Sequence, residues 1–160
     1  MATNTINSVY KGGMNFTTLI DGHTIIIDLD KASGGNDGGP GPKILMLVSL
    51  AGCTGLDVVS ILNKMKVIFS DFTINVEANL TEVHPKIYDD VTITYSIKVS
   101  KADESKVEKA VGLSQDKYCG VSEMFRAFAK LSIKILFLPA SPIPPDSYRE
   151  AIGTSKKGGA

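Results

Sequence analysis

The chain has 160 residues, and its 17 lysines and arginines are matched by 17 aspartates and glutamates. This length carries one domain with a sizeable core, and the balanced charge excludes a global preference for nucleic acid or an anionic surface. Its two cysteines, Cys53 and Cys119, cannot make a multi-cysteine zinc site and a structural disulfide in a reducing compartment would be unusual, so no metal or disulfide scaffold is expected.

The opening MATNTINSVYK lacks the basic start and apolar core of a signal peptide, which sets the expectation of a cytoplasmic protein. Residues Ile6 to Lys11, Asn15 to Ile20 and His23 to Asp28 are rich in Thr, Ile, Val, Tyr and Phe, and Gly12-Gly13 and Asp21-Gly22 separate them. Three short strands in an antiparallel meander follow from that pattern. The next stretch, DKASGGNDGGPGP from Asp30 to Pro42, is a glycine- and proline-rich loop, and without the GxxxxGK[ST] order it is not a phosphate loop.

From Pro40 to Lys66 the chain is an apolar segment too long for a strand, with Pro42 placed for a first helical turn. Between Ile44 and Leu62 only Ser49, Cys53, Thr54, Asp57 and Ser60 interrupt the apolar run, together with Gly52 and Gly55. A helix apolar nearly all round must be covered by its own domain, a second subunit or lipid. Lipid is the poorest cover, because Asp57 sits near the middle of the run. Cys53 in such a helix reads, taken alone, as a small apolar side chain.

Val67 to Val83 alternates, with Phe72, Ile74, Val76, Ala78 and Leu80 on one face, and predicts a long half-exposed strand. His84-Pro85 stops it, Asp90 to Ser100 alternates again, and the two strands form a hairpin. Lys101 to Gln115 is an amphipathic helix with Val107, Ala110, Val111 and Leu113 inward, DKYCG from Asp116 to Gly120 is a short connection, Val121 to Ala129 is a helix and Ile133 to Leu138 a last strand. The order predicts an α+β fold with the sheet packed on helices. Residues 1–138 form a single domain, and 139–160, with four of the seven prolines, a flexible tail.

Several pieces in this order carry a resemblance: Gly39-Pro40-Gly41-Pro42, then Leu50 to Gly55 (LAGCTG), Asp57-Val58-Val59, Lys64-Met65, His84-Pro85, Leu113-Ser114 and Lys117-Tyr118-Cys119. Together they resemble the OsmC/Ohr family of osmotically inducible and organic hydroperoxide resistance proteins, in its OsmC-like branch. The resemblance implies antiparallel sheets packed around a long central helix in an intertwined homodimer. It also implies a stress-response thiol peroxidase without metal, haem or flavin, acting on organic hydroperoxides. Cys53 matches the peroxidatic cysteine of that family and Cys119 the resolving one, with a dithiol of lipoyl or thioredoxin type as reductant. Such chemistry needs an ionised thiol and a stabilised leaving oxygen. If Gly52 and Gly55 break the helix, following amides are placed to lower the pKa of Cys53; in a continuous helix Asp57 shares its face and opposes ionisation.

The family also pairs its cysteine with an arginine from the first strands and a glutamate at the opening of the helix. Here arginine occurs only at Arg126 and Arg149, and Ile44 stands in the glutamate position. Asp57, His84 and Lys117 are the accessory candidates, with Lys11 and Lys43 as further charges, although lysine lacks the fork of arginine. The departures leave an alternative: a non-enzymatic stress or ligand-binding protein of the same fold with a reactive cysteine pair.

Overall fold

The computed structural model describes residues 3–139, so the sequence expectation of a flexible tail falls almost wholly outside the described residues. Strands β1 (Ser8–Gly12), β2 (Asn15–Ile20) and β3 (His23–Ile27) form the expected antiparallel meander in the order β1-β2-β3. Asp21 and Gly22, both with positive φ (49° and 81°), make a two-residue turn whose twist suits the hairpin between β2 and β3. Thr18 is buried and its hydroxyl meets that of Ser8, while Val9, Tyr10, Phe16, Leu19, Ile25 and Ile26 stay exposed.

The loop after β3 is organised by Asp28. Its carboxylate is buried and accepts backbone N–H groups from Leu29 (2.8 Å), Gly38 (3.1 Å) and Asn36 (3.3 Å). Those hydrogen bonds, led by the one from Leu29, outweigh burial and hold its pKa below the usual carboxylate value. The loop comes so close to β3 that a Cβ on Gly35 would lie 1.9 Å from the Leu29 carbonyl oxygen, and one on Gly39 2.3 Å from that of Ile26. Glycine is required here for backbone contact.

Helix α1 (Pro42–Lys64) is continuous for 23 residues, with Pro42 at its start. Gly52 and Gly55 therefore do not break it, contrary to one branch of the sequence reading. Gly55 packs tightly, since a Cβ there would lie 2.8 Å from Ile74 Cδ1, but Gly52 faces open space. Leu47, Leu50, Thr54, Val58 and Leu62 form its buried stripe at helical spacing. The opposite face is uncovered: Val48 is 60% and Leu56 75% exposed. Among the described residues nothing covers this face.

Strands β4 (Phe69–Leu80), β5 (Tyr88–Val99) and β6 (Lys130–Phe137) make the second sheet in the order β4-β5-β6. The predicted alternation of β4 is seen, with Phe72, Ile74, Val76 and Ala78 half-buried and Thr73, Asn75, Glu77 and Asn79 exposed. The β4–β5 pair is antiparallel, but β6 runs parallel to β5, so the sheet is mixed and the expectation of purely antiparallel sheets is corrected. The reason is the crossover: helices α2 (Glu104–Leu113) and α3 (Gly120–Arg126) lie between β5 and β6, a connection long enough to return the chain in the same direction. One core joins Leu50, Val58 and Leu62 of α1, Val91, Ile93, Tyr95 and Ile97 of β5, Val107 and Val111 of α2, and Phe125 of α3. The result is an α+β molecule with two three-stranded sheets.

Candidate functional site

Cys53 projects from α1, half-buried, with Asp57 one turn further along on the same helix. Cys119 reaches them from the segment before α3, which packs against α1. The segment predicted as a plain connection there is a π-helical turn over Ser114–Tyr118, closed by the Cys119 N–H on the Ser114 carbonyl at 2.8 Å. The inserted residue of a π turn redirects the chain. It leaves Cys119 extended (φ −77°, ψ 94°) as the cap of α3, its Sγ accepting the Ser122 N–H at 3.3 Å. The side-chain ligand atoms of Cys53, Asp57 and Cys119 all lie within 4.8 Å of one another, with both cysteines free.

The electrostatics of this cluster oppose a thiolate. Burial first, then the neighbouring Cys119 and the Asp57 carboxylate, push the Cys53 thiol up, and the Val121 N–H is the one opposing contact. Arg126 does not reach the cysteines. It donates to Gln115 Oε1 at 3.1 Å and pairs with Glu123 at 3.3 Å. Arg149 lies outside the described residues.

Beside the thiols runs a polar chain that sequence reasoning missed. Guanidinium only donates, so Arg126 fixes the Gln115 amide with its oxygen outward and its NH2 turned to Tyr95 OH (2.7 Å) and Thr54 Oγ1 (3.0 Å). Ser114 Oγ donates to Asp57 Oδ2 at 3.2 Å, which frees it to accept from Thr54 at 2.9 Å. Thr54 Oγ1 in turn accepts from Tyr95 OH at 2.5 Å, and burial keeps Tyr95 protonated by raising its pKa. Every hydroxyl in the chain therefore points toward Asp57 and supports its carboxylate. An open cleft of about 370 Å3 leads to Asp57, lined by Ser60, Ile61 and Lys64 of α1 with Leu113 and Tyr118 opposite.

The remaining sequence candidates stand apart. His84 is exposed in the β4–β5 connection, and Lys117, exposed on the π turn, sits 5.5 Å from the ring centre of Tyr118. Lys11 on β1 and Lys43 in the first turn of α1 are exposed too. No hydrogen bond or ion pair among the described residues joins any of these four to Cys53, Asp57 or Cys119. The only legible trace of the polar chain was Thr54 within an apolar run.

Two facing thiols from a long helix and a redirected turn, set in a fold of two small sheets, define a class of two-cysteine α+β proteins. The sequence profile described as "OsmC-like protein" matches residues 34–134, and the chain belongs to that family. It is 30% identical to the protein YhfA of Escherichia coli K12 over 105 residues, covering 64% of this chain and 74% of the relative. A hypothetical protein from Aquifex aeolicus VF5 superposes with a TM-score of 0.76 at 29% identity, over 88% of this chain and all (100%) of the other. The organic hydroperoxide resistance protein OsmC of Legionella pneumophila shares the fold at a TM-score of 0.60 and 18% identity, over 85% of this chain and 99% of the other.

Proposed function

We propose that this protein reduces organic hydroperoxides by a two-cysteine cycle in the cytoplasm, with Cys53 as nucleophile and Cys119 as resolving thiol. The observation that supports the reading most directly is the approach of the two sulfurs to within 4.8 Å from separate elements. Side-chain rotation closes such a gap toward the ~2.05 Å of a disulfide. The Cys53 thiolate attacks the distal oxygen of ROOH; the alcohol leaves with a proton and a sulfenic acid remains. The Cys119 thiol displaces water from it and forms the disulfide. A dithiol of lipoyl or thioredoxin type then restores both thiols and leaves as its own disulfide. In this reading Asp57, beside Cys53, accepts and returns the proton of these steps, and His84 and Lys117, both exposed, have no part in them.

The working form in this reading is a homodimer. A second copy of the chain is the occupant that fits the uncovered apolar face of α1 at Ile44, Met46, Val48 and Leu56 together with the apolar side chains of the meander.

A second reading is favoured by one observation, the raised pKa of a Cys53 that has no arginine beside it among the described residues. Under it the protein is a ligand-binding or stress protein whose thiols react slowly. Mass spectrometry after one equivalent of cumene hydroperoxide separates the two. The peroxidase reading expects a Cys53–Cys119 disulfide in the wild type and sulfenic or over-oxidised Cys53 in Cys119→Ser. Untouched thiols would sink it and leave the second reading standing.

A further inference from the structure

We propose that the reduced Cys53–Asp57–Cys119 cluster is a metal site that takes one soft divalent cation, of which zinc(II) is the natural probe. The cluster holds two thiols and a carboxylate, whose donor atoms all lie within 4.8 Å of one another. Tetrahedral zinc with Zn–S bonds of ~2.3 Å sets two sulfurs ~3.8 Å apart, so closure requires only small side-chain movements. Cys53 and Asp57 stand four residues apart on one continuous helix, a spacing that presents two ligands to one ion, and Cys119 supplies a third from the facing turn. Three protein ligands leave the fourth position open toward solvent or a small molecule.

The surroundings have the character of an outer ligand shell. The Tyr95–Thr54–Ser114 hydroxyl chain delivers a donor to one oxygen of Asp57 and leaves the other free, and the Ser122 N–H steadies the Cys119 sulfur. Among the described residues the buried side-chain oxygen without a partner is Ser122 Oγ, in the first turn of α3. The open cleft reaches the cluster at Asp57, and Lys64 lines it as well. A divalent ion also brings positive charge to two thiols and a carboxylate that form no ion pair among the described residues.

Binding is a proton exchange: both thiols lose their protons, two sulfur–metal bonds form, and two protons enter solution for each ion bound. Conversion of the pair to a disulfide removes both sulfur donors. An organic hydroperoxide with two protons, acting on the metal dithiolate, gives the disulfide, alcohol, water and the free ion. This last step rests on the peroxidase reading; metal binding does not.

The test uses the full chain, reduced and stripped with a chelator, and titrated without peroxide. Cobalt(II) should give a near-ultraviolet sulfur-to-metal charge-transfer band at one ion per chain, and zinc(II) should abolish it. Cys53→Ser and Cys119→Ser should each roughly halve the band per bound ion. Asp57→Asn, shown folded by circular dichroism, should keep it while weakening zinc affinity by at least about tenfold, the lower end of what even an outer-shell partner contributes. A band that is absent, or zinc affinity unchanged in both cysteine variants, overturns the site. Protein that binds zinc yet leaves cumene hydroperoxide unreduced when metal-free overturns the peroxidase reading and sustains this one.

Discussion

The two sheets of this molecule are built from similar residues and reach opposite ends. In the second, Val91, Ile93, Tyr95 and Ile97 of β5 are wholly buried under α1, α2 and α3. In the meander, Leu19 is 68% exposed and Ile25 and Ile26 remain open, because the three strands chiefly contact one another. Composition does not explain the contrast, since both sheets are rich in β-branched and aromatic side chains. What differs is cover. A sheet gains stability from a second layer on its apolar face, and the described residues provide one layer of helices for two sheets.

The largest expected effect lies on the covered side. Ile93→Ala removes fully buried methyl groups from the centre of the core and should lower stability by about 2–5 kcal/mol, read as a shift in urea midpoint at unchanged slope. A loss within about 0.5 kcal/mol, the range of surface changes, would show that the buried sheet does not carry the fold. Next in size come the uncovered positions, Leu19→Ser and Leu56→Ser. If a second copy covers them, each forfeits about 1.5–3 kcal/mol of apolar burial per chain, and the dimer dissociation constant should rise at least about tenfold in sedimentation experiments. A wild-type chain that sediments as a monomer at every concentration would break the dimer proposal and leave the meander as an exposed apolar surface.

The same contrast governs what the sequence revealed. The alternation of β4 and the three short strands were legible because period-two patterning is local, and a turn such as Asp21-Gly22 announces itself. Cys53 and Cys119 were legible through a motif. The direction of β6 was not, because a short apolar strand carries no mark of its partner's orientation. The polar chain was hidden for a related reason. Thr54, Tyr95, Ser114 and Gln115 meet across sequence separations of 20 to 61 residues, and no periodicity records such a meeting. DKYCG read as a loop because a single π turn has no repeat of its own. By pattern Asp28 is only the end of a strand; capture of three backbone N–H groups by one carboxylate depends on a glycine-rich loop folding back, which composition alone does not display.

Asp28 also gives the smallest and most specific way to sharpen the comparison, because it ties the meander to the start of α1 through that loop. Its folded pKa lies below the ordinary aspartate value. The unfolded chain therefore binds the proton more readily, and the stability linked to Asp28 is fully present above the unfolded pKa of ~3.9 and fades as pH falls through the lower folded value. Asp28→Asn should accordingly melt below wild type at neutral pH, because an amide replaces one carboxylate oxygen with a donor that faces the N–H groups of Asn36 and Gly38 or that of Leu29. As pH falls through the lowered folded value, where the wild-type carboxyl becomes protonated and neutral as well, the two melting temperatures should converge. A gap that stays constant from neutral to acid pH would mean that the carboxylate charge contributes nothing, and that the loop is held by the close glycine contacts at Gly35 and Gly39 alone.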